Sequence, residues 1–130
     1  MSNAPIVYVV DDDVGVRKAL SFLLVSAGLN VRLYESAKAF LEEVVDPGRC
    51  CIVTDVRMPG IDGLETMARM LSRDNRLPII LNSAYSAYRE SFLSWSADAY
   101  VIKSSDLTEL KAKIRQVLAD RAETEKSSAS

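Results

Sequence analysis

Short apolar runs alternate with segments of helical period along almost the whole chain, and this alternation constrains the fold more than any other feature. Ile6–Val10, Cys50–Thr54 and Pro78–Leu81 are continuous and largely apolar, which is typical of strands buried on both faces. Two further strands are predicted at Asn30–Tyr34 and Ala99–Ile102. Five strands that alternate with five helices predict an α/β fold, because right-handed crossovers build a parallel sheet with helices on both faces.

Apolar stripes and capping residues mark the helices between these strands. The first stripe ends at Gly28, a residue type favoured at left-handed helix C-caps. Ser36 predicts the start of the second helix and Asp106 that of the last, because both side chains accept hydrogen bonds from the first turn. The fourth helix, roughly 84–96, is rich in serine and aromatic residues and has the weakest pattern.

Length and composition exclude several classes of function. The chain has 130 residues, and about 150 residues per domain leaves room for one domain only. Sixteen basic and eighteen acidic residues give a net charge of −2, so we predict no direct nucleic-acid binding. No histidine is present, which excludes Ser-His-Asp catalysis, Cys-His catalysis and histidine-ligated metals within this chain.

Other sequence features concern location and the chain ends. No apolar run approaches the roughly 18 residues of a membrane helix, and the first residues do not form a signal peptide. We therefore predict a cytoplasmic protein without membrane contact. Cys50 and Cys51 are neighbours, so we expect them to fill apolar positions on opposite faces of a strand. Residues 1–5 are predicted to be a disordered N-terminal segment and residues 123–130 a flexible tail.

Polar residues follow four of the five predicted strands. Asp11–Asp13 follow the first strand, Asp55 the third, Asn82–Ser83 the fourth and Lys103 the fifth. Taken singly, an acid after a strand often caps a helix, and a lysine there is usually solvated. Carboxyl ends of parallel strands meet at one edge of the sheet, which is where such folds bind ligands. The convergence therefore predicts one polar site.

The residue types in this set indicate a particular chemistry. Clustered carboxylates without histidine or thiolate suit a hard, oxygen-preferring cation, Mg²⁺ above all. Lys103 would add a second positive charge and Ser83 a hydroxyl donor. Sites of phosphoryl transfer usually combine an anionic group, Mg²⁺ and a lysine. Asp55 could itself be the nucleophile, because carboxylates form acyl phosphates.

These motifs resemble the receiver domains of two-component response regulators. The matching segments are Asp11-Asp12, the run Val53–Gly63 around Asp55, Ser83-Ala84 and Tyr100–Lys103. The resemblance extends from Ile6 to about Leu118, and the stretch Val7–Leu41 is similar to receivers of nitrogen-fixation and nodulation regulators. It implies a flavodoxin-like, doubly wound, five-stranded sheet in the order 2-1-3-4-5, with residues 6–122 forming the receiver domain.

The resemblance also implies a role for each site residue. Asp55 would accept a phosphoryl group from the phosphohistidine of a sensor kinase. Mg²⁺ would be held by Asp12 and Asp55, by Asp11 through water, and by the backbone carbonyl of Arg57. Ser83 and Lys103 would contact the phosphoryl oxygens, and Tyr100 would turn inward when Ser83 moves.

The implied function is phosphorelay signal transduction by a module that catalyses only its own phosphorylation and dephosphorylation, and so is not an enzyme in the ordinary sense. Besides the kinase, the implied partner is a downstream protein or an output domain. The face formed by the fourth helix, fifth strand and fifth helix would bind it, and the same face could form a homodimer.

Three alternatives stand beside this interpretation. A flavin mononucleotide-binding protein would need a Ser/Thr/Gly-rich loop where this chain has Asp11–Asp13. An aspartyl-phosphate phosphohydrolase would need a second acid at the position of Arg57. A third alternative is a pure interaction module that keeps the receiver fold but does not switch.

Overall fold

The computed structural model describes residues 5–43, 45, 47–55, 57–58, 61–73, 76–83, 98–102 and 107–129, of which 47, 57–58, 61–67 and 121–129 are described by their backbone only. The strands are β1 (Ile6–Val10), β2 (Asn30–Tyr34), β3 (Cys50–Thr54), β4 (Arg57–Met58), β5 (Ile61–Asp62), β6 (Ile79–Ser83) and β7 (Ala99–Ile102). The helices are α1 (Val14–Ser26), α2 (Ala37–Leu41), α3 (Gly63–Arg73) and α4 (Thr108–Ala129), with a 3₁₀ turn at Pro47–Arg49.

Five strands form one parallel sheet in the order β2-β1-β3-β6-β7. β1 pairs on one side with β2 and on the other with β3, the central strand, so that Val10 is level with both Tyr34 and Thr54. Counted within this sheet, the order is 2-1-3-4-5. The predicted α/β, flavodoxin-like topology is therefore confirmed, with four of the five predicted helices lying among the described residues.

The sheet separates two apolar clusters. On one face, Phe40 of α2 and Met70 of α3 pack with Tyr100 of β7. On the other face, side chains of α1 and α4 such as Leu24 and Ile114 pack against the sheet. Every residue of β3 is buried, as expected for a central strand covered by helices on both sides.

The adjacent cysteines belong to opposite faces, as predicted. Cys50 lies in the cluster with Phe40, and Cys51 lies in the cluster with Leu24. Both are buried free thiols. Burial is the main cause that raises the pKa of the Cys51 thiol, so this side chain stays neutral and acts as a small apolar group.

The predicted caps are present where the structure describes them. Gly28 follows α1 with φ of 88°, the left-handed conformation that glycine adopts without a Cβ penalty. The Ser36 hydroxyl accepts a hydrogen bond from the Ala39 N–H at 3.1 Å and so caps α2. Asp106 and the predicted 84–96 helix lie outside the described residues.

Some elements differ from the sequence prediction. The loop after β3 contains a short antiparallel hairpin, β4–β5, which has no apolar pattern long enough to predict. β6 continues through Asn82 and Ser83, because the parallel ladder with β7 extends to them. α4 continues through Ala129, so the predicted 123–130 tail is helical up to that residue; its flexibility stays a prediction.

None of the described helices combines the length and the apolar character that crossing a membrane requires.

Candidate divalent-cation and phosphoryl site

Two buried aspartates follow neighbouring strands at the carboxyl edge of the sheet. The Asp11 N–H donates to the Tyr34 carbonyl at 3.1 Å, and the Asp55 N–H donates to the Val10 carbonyl at 3.1 Å. Each bond continues the parallel ladder by one residue beyond its strand. The main chain of each aspartate is therefore fixed by pairing with a neighbouring strand, and each residue is only 2% exposed.

Asp12 completes a group of three carboxylates. One oxygen from each of Asp11, Asp12 and Asp55 lies within 4.8 Å of the others, and Asp12 is the exposed member. The three side chains come from the ends of β1 and β3, as the sequence predicted. Like charges at this separation repel each other unless a cation compensates.

The donor set fits Mg²⁺. The ion takes oxygen ligands at roughly 2.1 Å in octahedral geometry, so ligands on opposite sides are about 4 Å apart. A span of at most 4.8 Å across three carboxylate oxygens requires only small side-chain adjustments. The exposed side at Asp12 leaves room for the waters and phosphate oxygens with which Mg²⁺ usually shares its site.

The third aspartate of the run has a different task. Asp13 Oδ1 accepts hydrogen bonds from the Gly15 N–H at 2.8 Å and from the Val16 N–H at 3.2 Å. It is the N-cap of α1, which therefore begins at Val14. Of three consecutive acids, two belong to the carboxylate group and one caps a helix.

Polar residues of β6 lie beside this group. Thr54 is level with Leu81, so Asp55 is level with Asn82, and Ser83 lies one residue further along the neighbouring strand. Asn82 is 4% exposed and Ser83 is fully buried. Buried polar side chains at the end of a central strand are unusual unless they have partners, and Ser83 does have interactions within the protein.

The remaining predicted site residues are placed as follows. Tyr100 is 3% exposed and lies in the cluster with Phe40. Arg57 begins β4, two residues after Asp55, and only its backbone is described. Lys103 lies outside the described residues.

Sequence reasoning missed one contact at this site. Arg17 Nη1 donates to the Asp11 carbonyl at 2.6 Å. The only sequence signal for this contact is a basic residue one helical turn after the cap, Asp13. An arginine on a helix surface is usually solvated, so the sequence pattern does not predict that its side chain extends back to the Asp11 carbonyl.

Comparison with known proteins places this geometry in a family. The sequence model of the response regulator receiver domain family matches residues 7–115, which include all three carboxylates. The chain belongs to this family. It is the receiver domain of a two-component response regulator and functions in phosphorelay signalling. Receiver domains are signalling modules rather than classical enzymes, so the family assignment also confirms that part of the prediction.

Several relatives illustrate the match. The transcriptional regulatory protein FixJ of Bradyrhizobium diazoefficiens is 43% identical over 79 residues, covering 61% of this chain and 38% of FixJ. The chain thus spans well under half of that relative. The response regulator TrrA of Thermotoga maritima, solved in complex with Mg²⁺-BeF, is 33% identical with a TM-score of 0.78, covering 88% of this chain and 99% of TrrA. TrrA has also been solved in complex with the histidine kinase ThkA; that structure is 34% identical with a TM-score of 0.77, covering 88% of this receiver and 98% of the matched chain.

Proposed function

We propose that Asp55 is the phosphoacceptor and that its phosphorylation depends on Mg²⁺. The observation that carries the proposal is the convergence of the Asp11, Asp12 and Asp55 carboxylates at the carboxyl edge of the sheet. Asp55 follows the strand in the middle of that edge, with β1 on one side and β6 on the other. It is therefore the carboxylate that neighbours on both sides can surround.

In the proposed reaction, a carboxylate oxygen of Asp55 attacks the phosphorus of a phosphohistidine. The P–N bond breaks, the aspartyl phosphate forms, and the histidine ring on the donor recovers its neutral form by taking up a proton. The donor histidine must lie outside this chain, because the chain contains no histidine. TrrA, a similar receiver, has been solved with a histidine kinase, which supports a sensor kinase as the partner here.

The surrounding residues have separate roles in this proposal. Asp11, Asp12 and Asp55, with the Arg57 carbonyl, would hold Mg²⁺, which neutralises charge on the phosphoryl oxygens when it is bound. Ser83 and Lys103 would donate hydrogen bonds to those oxygens. TrrA has been solved with Mg²⁺ and BeF, which supports a comparable site in this chain.

Phosphorylation of the purified chain tests the proposal and separates it from a non-switching interaction module. We expect acetyl phosphate with Mg²⁺ to add the mass of one phosphoryl group, measured by intact mass spectrometry at neutral pH. The same incubation with EDTA should leave the protein unmodified. An unmodified protein under both conditions would favour the interaction module.

We further propose that Ser83 and Tyr100 form the switch. Leu81 is level with Tyr100 on the neighbouring strand, and side chains two residues apart on a strand share a face. Ser83 and Tyr100 therefore lie on the same face of the sheet, on adjacent strands. A charge-assisted hydrogen bond would draw Ser83 toward the phosphoryl group, and Tyr100 is the large side chain able to follow.

Beryllofluoride with Mg²⁺ should mimic the phosphorylated state and test this switch. We expect the largest amide shifts between Ser83 and Lys103, and smaller ones in α2, measured by ¹⁵N–¹H NMR. Ser83→Ala should reduce the shifts at Tyr100 without preventing beryllofluoride binding. Largest shifts in α2, with Tyr100 unmoved, would contradict the mechanism.

The output of the switch belongs to the same proposal. The 84–96 segment, β7 and the last helix would form the face that binds a downstream protein or an output domain, and a homodimer could use it too. FixJ extends well beyond the region matched here, which supports an output domain. Self-catalysed phosphorylation and dephosphorylation and a cytoplasmic location also remain predictions.

A further inference from the structure

We propose that Arg17 is a positioning residue for the divalent-cation site. Its guanidinium holds the backbone between β1 and α1 in the orientation in which Asp11 and Asp12 present their carboxylates. This inference rests on the Mg²⁺ site of the proposed function, and it adds a residue that the predicted site lacks.

The Arg17 side chain holds the start of the acidic loop formed by residues 11–13. It donates from Nη1 to the Asp11 carbonyl at 2.6 Å. The bond of the Arg17 backbone N–H to the Asp13 carbonyl, at 3.0 Å, is the ordinary first-turn bond of α1 and does not depend on the side chain. The side chain is partly buried, and a charged donor in such a place makes a shorter and stronger hydrogen bond than a neutral one.

The carbonyl that accepts the Arg17 hydrogen bond also helps to fix the backbone position of Asp12. It belongs to the rigid peptide plane that joins Asp11 to Asp12. Asp11 is also held at its N–H, by the Tyr34 carbonyl, and at its carboxylate, which accepts from the Asp13 N–H at 2.9 Å. Asp12 lies between these anchored residues and is exposed, so the direction of its side chain depends on how the loop backbone is fixed.

Two effects of Arg17 on cation binding oppose each other. Its positive charge repels a cation, whereas its hydrogen bond orders the loop that supplies two carboxylates. The guanidinium is partly buried and lies within hydrogen-bond distance of Asp11, well inside the Debye length of about 8 Å, so salt removes only part of the repulsion. Groups that orient metal ligands typically change metal affinity by roughly 10–100-fold. Ordering should therefore dominate.

Magnesium titrations of the full chain test this proposal. We would follow the amide signals of residues 11–15 by ¹⁵N–¹H NMR at constant ionic strength, for the wild type, Arg17→Gln, Arg17→Lys and Lys18→Gln. Lys18→Gln is the matched control, because this substitution removes the same charge from the next position of α1, where the side chain is exposed. We expect Arg17→Gln to raise the Kd for Mg²⁺ about tenfold and Lys18→Gln to leave it unchanged.

The other results have distinct meanings. A Kd for Arg17→Gln that is unchanged or lower would overturn the proposal, as would an equal rise in Lys18→Gln. If Arg17→Gln does not fold, Arg17→Lys decides: it keeps the charge on a side chain that is one bond shorter, so the 2.6 Å contact with the Asp11 carbonyl is lengthened or lost. A raised Kd then supports positioning and an unchanged Kd refutes it. A wild type that does not bind Mg²⁺ would instead refute the metal site of the proposed function.

Discussion

The two edges of the sheet use aspartate in opposite ways. At the amino edge, Asp98 precedes β7 and its carboxylate accepts a hydrogen bond from the Ile79 N–H at 2.8 Å, while its own N–H donates to the Ile79 carbonyl at 2.8 Å. At the carboxyl edge, Asp11 and Asp55 are held by their backbone groups, and their carboxylates gather with that of Asp12.

This difference shows what separates a structural acid from a candidate site. Asp98 closes one strand pair, and its carboxylate, on an exposed residue, accepts from a backbone N–H. The three carboxylates at the other edge bring like charges together, which lowers stability unless a cation compensates. Proteins accept such local costs most often at functional sites. We therefore expect substitutions at the amino edge to change stability and those at the carboxyl edge to change phosphorylation.

Asp12→Ala should have the largest effect on activity. It removes one carboxylate from the Mg²⁺ site, so we expect phosphorylation by acetyl phosphate to become undetectable. It also relieves repulsion among like charges, so the Tm without metal should stay the same or rise slightly. Intact mass spectrometry and thermal unfolding measure the two effects. A large fall in the metal-free Tm would mean that Asp12 is a structural residue.

Asp98→Ala should lower the free energy of unfolding by about 1–3 kcal/mol, because the Ile79 N–H loses its partner. Phosphorylation should continue at the wild-type rate. Asp98→Asn is the control, since its amide oxygen can still accept the hydrogen bond and the loss should be smaller. Urea unfolding compares the three proteins. If Asp98→Ala were as stable as the wild type, Asp98 would not be a structural acid, and the proposed difference between the two edges would be wrong.

Asp13→Ala should have the smallest effect, about 1 kcal/mol lost from the free energy of unfolding, as is typical of helix N-caps. Phosphorylation should persist, because Asp13 lies outside the carboxylate group. Asp13→Ser is the control and should recover most of the lost stability, since serine also caps helices. If Asp13→Ala behaved like Asp12→Ala in the phosphorylation assay, Asp13 would belong to the cation site.

Most of the fold could be predicted because strands that are buried on both faces have continuous apolar sequences. The continuous apolar runs at β1 and β3 and the glycine at the end of α1 each follow from local chemistry. The end of β6 could not be predicted in the same way. Asn82 and Ser83 interrupt the apolar run, yet they pair with β7, and that pairing is decided by a distant strand.

The site was predictable as a convergence but not in its details. The strand-end rule brings Asp11 and Asp55 together whatever lies between them. It does not distinguish Asp12 from Asp13, because the backbone turn into α1 decides which acid caps the helix. Arg17 escaped prediction for a similar reason, since its contact with Asp11 depends on the path of a long side chain.

The measurement that tests the account most directly is the location of the phosphoryl group. The wild type, Asp55→Asn and Asp98→Asn would each be treated with acetyl phosphate and Mg²⁺, reduced with borohydride, which converts aspartyl phosphate to homoserine, and analysed by peptide mass spectrometry. We expect homoserine at position 55 in the wild type and in Asp98→Asn, and none in Asp55→Asn. Homoserine at another aspartate of the wild type, or full phosphorylation of Asp55→Asn, would contradict the assignment of Asp55 as the phosphoacceptor.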